Sequence, residues 1–293
     1  MFKKYLFLTK PGILFGNFIT TLGGFFLAAQ GSIDLPLLFL TLLGTTLVVA
    51  SGCVFNNIID QDIDQKMQRT QNRALVTKAI SVPIAFIYGC VLGIIGFALL
   101  YFLVNPLACI FAGIGFIVYV FLYSLWTKRS SIHQTIIGSI SGACPPVLGY
   151  VAVAEQFDYA ALILLLGYAF WQMPHSWGIA IYRFQDYANA NIPILPVARS
   201  VKRTKIESLI YVILFILTMN LLYVFGYANI CFAITLNAIG AYWIYLSIKG
   251  FNTTDDQVWA KRYFLFSVQF ITVLSLSFLF TAVSPAPQLL FPF

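Results

Sequence analysis

A chain of 293 residues that is 60% hydrophobic and only 9% charged, with mean hydropathy +0.88, has too few polar side chains to coat a water-soluble domain. Its net charge of +7 comes from 17 Lys and Arg spread over separate short loops. That dispersal excludes the clustered basic face of a nucleic-acid binder. The five cysteines form no CxxC pair, so they read as small apolar residues and not as a zinc site or a disulfide framework.

Nine apolar stretches approach the roughly 20 residues a helix needs to cross a bilayer. They cover residues 11–29, 35–55, 82–104, 106–126, 135–154, 159–182, 209–227, 230–248 and 263–283, and none holds Asp, Glu, Lys or Arg. Every Lys and Arg falls on one side of the alternation: before span one, and in the loops after spans two, four, six and eight. By the positive-inside rule that side is cytoplasmic, which places the N-terminus inside and the C-terminus outside the cell (inner) membrane. The expectation is one all-α domain over 1–293, a polytopic bundle of nine transmembrane helices. A basic start and Ala28–Ala29 also fit a signal peptide, but the apolar part of span one is long for one.

In chain order, residues 3–10 read as a short interfacial helix ahead of Pro11, a helix-starting residue. Asn17, Thr20 and Thr21 inside span one serve either interhelical hydrogen bonds or a polar cavity wall. Span two closes on the small residues Ala50, Ser51 and Gly52 and enters NNIIDQDIDQKMQRTQNR, Asn56 to Arg73, with three acids and three bases. If the helix continues, Asn56, Asp60 and Asp64 share a stripe at i, i+4 and i+8, and Asp62 points away. Lys66, Arg69 and Arg73 then follow on one helical face. The acids could simply pair with these bases. A metal–diphosphate site explains both signs at once: carboxylates for a hard cation such as Mg²⁺, and Lys and Arg for phosphate oxygens.

Gly89, Gly93 and Gly96 give span three a close-packing face. Gly138, Gly142, Gly149 and Cys144–Pro145–Pro146 predict that span five is kinked or broken and lines a cavity. Span six carries Gln172, Pro174, His175 and Ser176 at membrane depth. An intramembrane His is a functional candidate, here divided between packing and substrate contact. After span six come Tyr182, Arg183 and Asp186, a second acidic loop on the same side as the first. Asp255 and Asp256 read as ordinary surface charge.

Asn56-x-x-x-Asp60-x-x-x-Asp64 after span two, with an acidic loop after span six, resembles the UbiA superfamily of intramembrane prenyltransferases. The finer likeness is to its haem-farnesylating branch, the protohaem IX farnesyltransferases. It rests on TKPGILFGN (9–17), SGCVFNNIIDQDIDQKMQRTQNR (51–73), GACPPVLGY (142–150), WQMPHSW (171–177) and DYANANIPILP (186–196). The resemblance spans nearly the whole chain in order. It implies a UbiA-like bundle around a central cavity and Mg²⁺-dependent transfer of farnesyl from farnesyl diphosphate to a vinyl group of haem B, giving haem O. Asn56, Asp60, Asp64 and Asp186 would hold the metal–diphosphate. Asn57, Lys66, Arg69, Arg73, His175, Tyr182 and Arg183 would meet the substrates. The partners implied are the bilayer and haem-synthesis or terminal-oxidase proteins. Many superfamily members have two acids four apart in the second motif. Here Tyr182 and Ala190 flank a solitary Asp186, which leaves the metal count open and favours haem over small phenolic acceptors.

The chemistry is consistent with that reading. Diphosphate leaves only when its charge is neutralised. The allylic cation left behind needs a dry, aromatic cavity, for which Trp171, Trp177 and Tyr182 are candidates. A quinone-precursor prenyltransferase is the rival enzyme. An ion-coupled transporter is disfavoured because both acid loops lie on one face and not at the midplane. A non-catalytic oxidase-assembly subunit would tolerate Asp64→Asn.

Overall fold

The computed structural model describes residues 2–281, and every regular element in it is helical. Nine long helices are present among the described residues: Pro11–Ala29, Leu35–Ile59, Val82–Val104, Pro106–Ser130, Gln134–Ala154, Tyr159–Tyr182, Val201–Val224, Ile230–Asn252 and Asp256–Phe280. Eight are both long and apolar enough to cross a membrane. The sixth, Tyr159–Tyr182, has the length at 24 residues, about 36 Å of helix, but Gln172, His175 and Ser176 dilute its hydropathy. The chain is a multi-pass membrane protein. Residues 282 and 283 of the expected ninth span lie outside the described residues.

Loop polar residues set the boundaries. Asp34, Asn105, Asp158, Ser200, Asn229 and Asp255 each accept a backbone N–H from the first turn of the next helix. Pro11 opens span one after Lys10, which takes the left-handed conformation (φ 55°) and turns the chain out of the short helix Phe2–Leu8. Span seven begins at Val201, earlier than its apolar run. Lys202, Arg203, Lys205 and Glu207 ride on its first two turns, where an apolar window cannot register them. Asp256 is more than surface charge, because it pairs with Lys205, which is only 7% exposed.

Small residues fix the closest crossings. Gly89, Gly93 and Gly96 of span three face Val54, Ser51 and Val48 of span two. Gly24 of span one meets the Pro146 carbonyl of span five, and Gly149 returns the contact against the Thr21 carbonyl. Span five is helical straight through Pro145 and Pro146, so the expected break is not there. Each proline costs one ladder hydrogen bond, but tight burial between neighbours holds the helix together.

Candidate active site

A cavity of about 1130 Å³ enters the bundle from the basic-loop face. Spans one, two, four, five, six and nine wall it. Spans three, seven and eight contribute nothing to the lining, so the helices do not all surround it. Its deep end is apolar, with Val48, Phe111 and Leu148 beside Thr45. Its mouth carries Asp60 and Asp64 against Lys4, Lys10, Arg69, Arg73 and Lys128. Five bases against two acids make the mouth a receptor for an anion.

The acid stripe survives the end of its helix. Span two stops at Ile59, and Gln61–Asp64 forms one further turn. The Asp60 N–H donates to the Asn56 carbonyl (2.9 Å) and the Asp64 N–H to the Asp60 carbonyl (2.8 Å), so the i, i+4, i+8 register is kept. Asn56, Asp60 and Asp64 are buried and line the cavity. Asp62 points outward to a two-pronged pair with Arg129, at 2.6 and 2.7 Å, and that guanidinium holds its carboxyl below the usual range. Asn57 is also buried on the lining, and its amide donates to the Leu8 carbonyl (2.8 Å), tying the N-terminal helix to span two.

Each stripe residue has a basic partner. Lys10 donates to Asn56 Oδ1, Lys128 pairs with Asp60 Oδ2, and Arg73 Nη1 lies 2.5 Å from Asp64 Oδ2. Lys10 and Lys128 give no sign in the sequence beyond the general basic bias of these loops. Burial, then the Arg73 cation, brings the Lys10 ammonium down from 10.5 to about 8.

Span four reaches this mouth through a widened, π-helical segment, Val118–Thr127. There the Ser124 hydroxyl donates to the Tyr119 carbonyl, five residues back (2.8 Å), and accepts from Asn56 Nδ2 (2.7 Å). The wider turn sets residues five apart on one face. Tyr119 with Ser124, and Tyr123 with Lys128, are thereby turned toward the acids. Nothing in an apolar run announces such a turn.

The expected basic helix after Asp64 is absent. Residues 65–79 form successive turns, since the run lacks an apolar stripe to bury. Arg69 and Arg73 reach the cavity, while Lys66 is exposed and does not. Asp186 is buried in the short helix Phe184–Asn189 and accepts the Gln68 N–H at 2.9 Å. It thus braces the first loop and is not on the lining, although its neighbour Tyr187 is. Tyr182 and Arg183 also stay off the lining. Arg183 lies 4.3 Å over the Tyr182 ring, which stacks on Phe264. Trp171 stacks on His175 and Trp177 packs with Met67 and Met173, so neither ring faces the cavity. Among the described residues, the aromatic faces that line it are Phe7, Phe111, Phe116, Tyr119, Tyr123, Tyr187 and Phe264.

His175 lines the cavity beside Gln172 and Ser176, with Nδ1 at 2.8 Å from Ser267 Oγ. That bond fixes the ring and leaves Nε2 as the nitrogen for a ligand.

The donor set suits a hard cation. Among the described residues, Asp60 Oδ1 is buried with no hydrogen-bond partner, and Arg129 Nη2 comes no closer than 3.9 Å. A carboxylate oxygen that faces a cavity without a hydrogen bond suits a positive charge. No group of three His, Cys, Asp or Glu is within metal-holding reach among the described residues. A cation here would take few protein oxygens and fill its shell from water or substrate, the habit of Mg²⁺.

Residues 17–270 match the model of the UbiA prenyltransferase family. The chain belongs to this family. A protoheme IX farnesyltransferase of Acinetobacter baumannii is 72% identical over 289 residues, 99% of each chain. One from Pectobacterium carotovorum is 52% identical over 291 residues, covering 99% of this chain and 98% of that one. Among solved structures, a digeranylgeranylglyceryl phosphate synthase superposes at TM-score 0.78 with 20% identity, over 96% of this chain and 98% of its own. A UbiA homologue of Archaeoglobus fulgidus bound to GPP and Mg²⁺ gives 0.66 with 18% identity, over 95% and 100%. At such identities the solved structures speak for the fold alone, and for the UbiA member the expected bundle is the observed one.

Proposed function

We propose that this UbiA-family enzyme is a protohaem IX farnesyltransferase, which transfers farnesyl from farnesyl diphosphate to a vinyl group of haem B and adds water to give haem O and diphosphate. The observation that carries the reading is the cavity itself: an apolar, aromatic-lined bore under a net-positive mouth that holds a carboxylate oxygen without a hydrogen bond. Near-full-length relatives named for this activity supply the acceptor. Nothing in the geometry favours the smaller phenolic acceptor.

Asn56, Asp60 and Asp64 are the proposed metal ligands, with Asp186 joining from the second loop by giving up its Gln68 bond. Mg²⁺, when bound, would offset charge on the departing diphosphate. Arg69, Arg73, Lys10 and Lys128 bind its oxygens, and this requires them to exchange partners with the carboxylates. Lys66 and Arg183 are left as outer contributors to the field. Once the C–O bond breaks, Tyr119, Tyr123 and Tyr187 offer ring faces to the allylic cation. The vinyl carbon attacks it, and water captures the resulting cation beside the porphyrin ring and releases a proton. His175 lines the same cavity, and in this reading its Nε2 would be the protein's contact to the haem. His175→Ala is expected to change the haem spectrum of the purified protein; an unchanged spectrum removes that contact.

Orientation follows from the basic loops. The mouth faces the cytoplasm of the inner membrane, where water-soluble farnesyl diphosphate arrives, and haem-synthesis or terminal-oxidase proteins are the neighbours expected there. The decisive assay is to extract haem from membranes with and without the protein and read its mass. Haem O with farnesyl diphosphate present supports the proposal. Unmodified haem B, with prenylation of a quinone precursor instead, overturns it.

Lys10 makes the site sensitive to pH. Its ammonium is present below about pH 8 and lost above. Diphosphate favours the ammonium, so binding at higher pH must take up a proton. KM for farnesyl diphosphate is expected to rise as pH passes upward through this range, and Lys10→Arg to flatten the rise.

A further inference from the structure

A second cavity, about 480 Å³, opens on the same face outside the catalytic bore, where spans five and seven part over span six. Its rim holds His133, Arg199 and Arg203, all exposed. Arg203 is spoken for by Glu207 at 2.6 Å. Arg199 makes no ion pair among the described residues, and so the rim keeps a net cation. Below it lie Met173, Leu195 and Tyr211, and Trp177, only 3% exposed, whose indole N–H is buried without an acceptor among the described residues.

Buried donors without partners are rare in a settled structure and point to an occupant. The occupant must bring an anionic acceptor to the rim and apolar bulk to the floor. Ile136 on the lining is exposed, as are Ile206 and Ile210 in the same turns of span seven as Arg203, Glu207 and Tyr211, so apolar surface continues from the cavity toward the bilayer. We propose that this cavity seats the headgroup of an anionic phospholipid, its phosphate at Arg199 and His133 with one oxygen accepting from the Trp177 N–H, and its first acyl carbons over Tyr211 and Ile136. Basic pockets between helices at the cytoplasmic rim bind such lipids, and Trp and Tyr favour this level of the membrane.

The floor connects to the catalytic loop. Met173, Trp177 and Leu195 pack in one buried cluster with Ile63 and Met67, the residues flanking Asp64 on the first acidic loop. A lipid that stiffens the floor therefore steadies the loop bearing Asp60 and Asp64 without touching substrate. The proposal stands apart from the identity of the acceptor.

The test is native mass spectrometry of the delipidated full-length protein in detergent. It is titrated with phosphatidylglycerol, phosphatidylcholine or inorganic phosphate, with hydrogen exchange of residues 61–79 read in parallel. Phosphatidylglycerol is expected to bind and slow that exchange, while the other two do neither. Arg199→Gln should weaken it roughly tenfold, as loss of one charge-assisted contact does. Trp177→Phe, which keeps an aromatic six-membered ring but removes the N–H together with the five-membered ring, should weaken it by a few-fold. Equal binding of both lipids, unchanged affinity in Arg199→Gln, or protection by inorganic phosphate alone would each overturn the proposal.

Discussion

Asp60→Asn is expected to lower kcat by about a thousandfold, the scale on which one preorganised charge contributes to leaving-group departure. The carboxylate is 1% exposed, with one oxygen on Lys128 and the other without a hydrogen bond, 3.9 Å from Arg129 Nη2. An amide keeps the shape but neither the charge nor the open anionic oxygen. Lys128, 13% exposed, loses its counter-charge as well, which costs about 3 kcal/mol of stability. Two effects are thus predicted, and a second substitution separates them. Adding Lys128→Gln removes the stranded cation, so the double variant should regain thermal stability in detergent while staying inactive. Haem O formed per minute and the unfolding midpoint are the two readings. If stability and turnover return together, Asp60 is only a counter-ion to Lys128 and the metal reading fails. Asp62→Asn is the control. Its side chain is 61% exposed and its pair with Arg129 lies outside the cavity, so stability should move by at most about 1 kcal/mol and turnover hardly at all.

Much of this site is legible in the chain because its chemistry is periodic. Asn56, Asp60 and Asp64 are spaced by one helical turn, and backbone hydrogen bonds hold that register past the point where the helix ends. The spans are legible because a bilayer demands long uncharged runs. Lys66, Arg69 and Arg73 share the same periodicity, yet they fall in turns, because no apolar stripe lies beneath them to bury a helix. Lys10 and Lys128 lie 46 and 68 residues from the side chains they reach, in loops whose basic residues already have a topological reason to exist. The π-helical segment that turns Tyr119 and Tyr123 inward leaves no trace in composition. Trp171 and Tyr182 show the converse: an aromatic near a motif is eligible to line a cavity, but stacking on His175 and Phe264 decides where the ring goes.

Gly149→Ala is expected to destabilise the bundle by about 3 kcal/mol, the upper part of the range for overpacking. A methyl group at Gly149 would intrude on the Thr21 carbonyl, and one at Gly24 on the Pro146 carbonyl. The obstacle in both cases is backbone, which cannot step aside as a side-chain tip can. Gly113 of span four has nothing within 4 Å of the same methyl position, so Gly113→Ala should be neutral or stabilising. Helix propensity favours both substitutions by about 1 kcal/mol, so opposite signs would isolate the crossing of spans one and five as the cause. The crossing matters to catalysis because span one follows directly on Lys10 and span five supplies Gly142 and Leu148 to the cavity wall. Spreading the two helices opens the apolar bore to water. Any Gly149→Ala protein that still folds at low temperature should therefore release diphosphate while forming less haem O, the farnesyl cation being captured as farnesol. Measuring diphosphate and haem O together tests this. A fall in both by the same factor would mean the crossing supports the fold but does not keep the cavity dry.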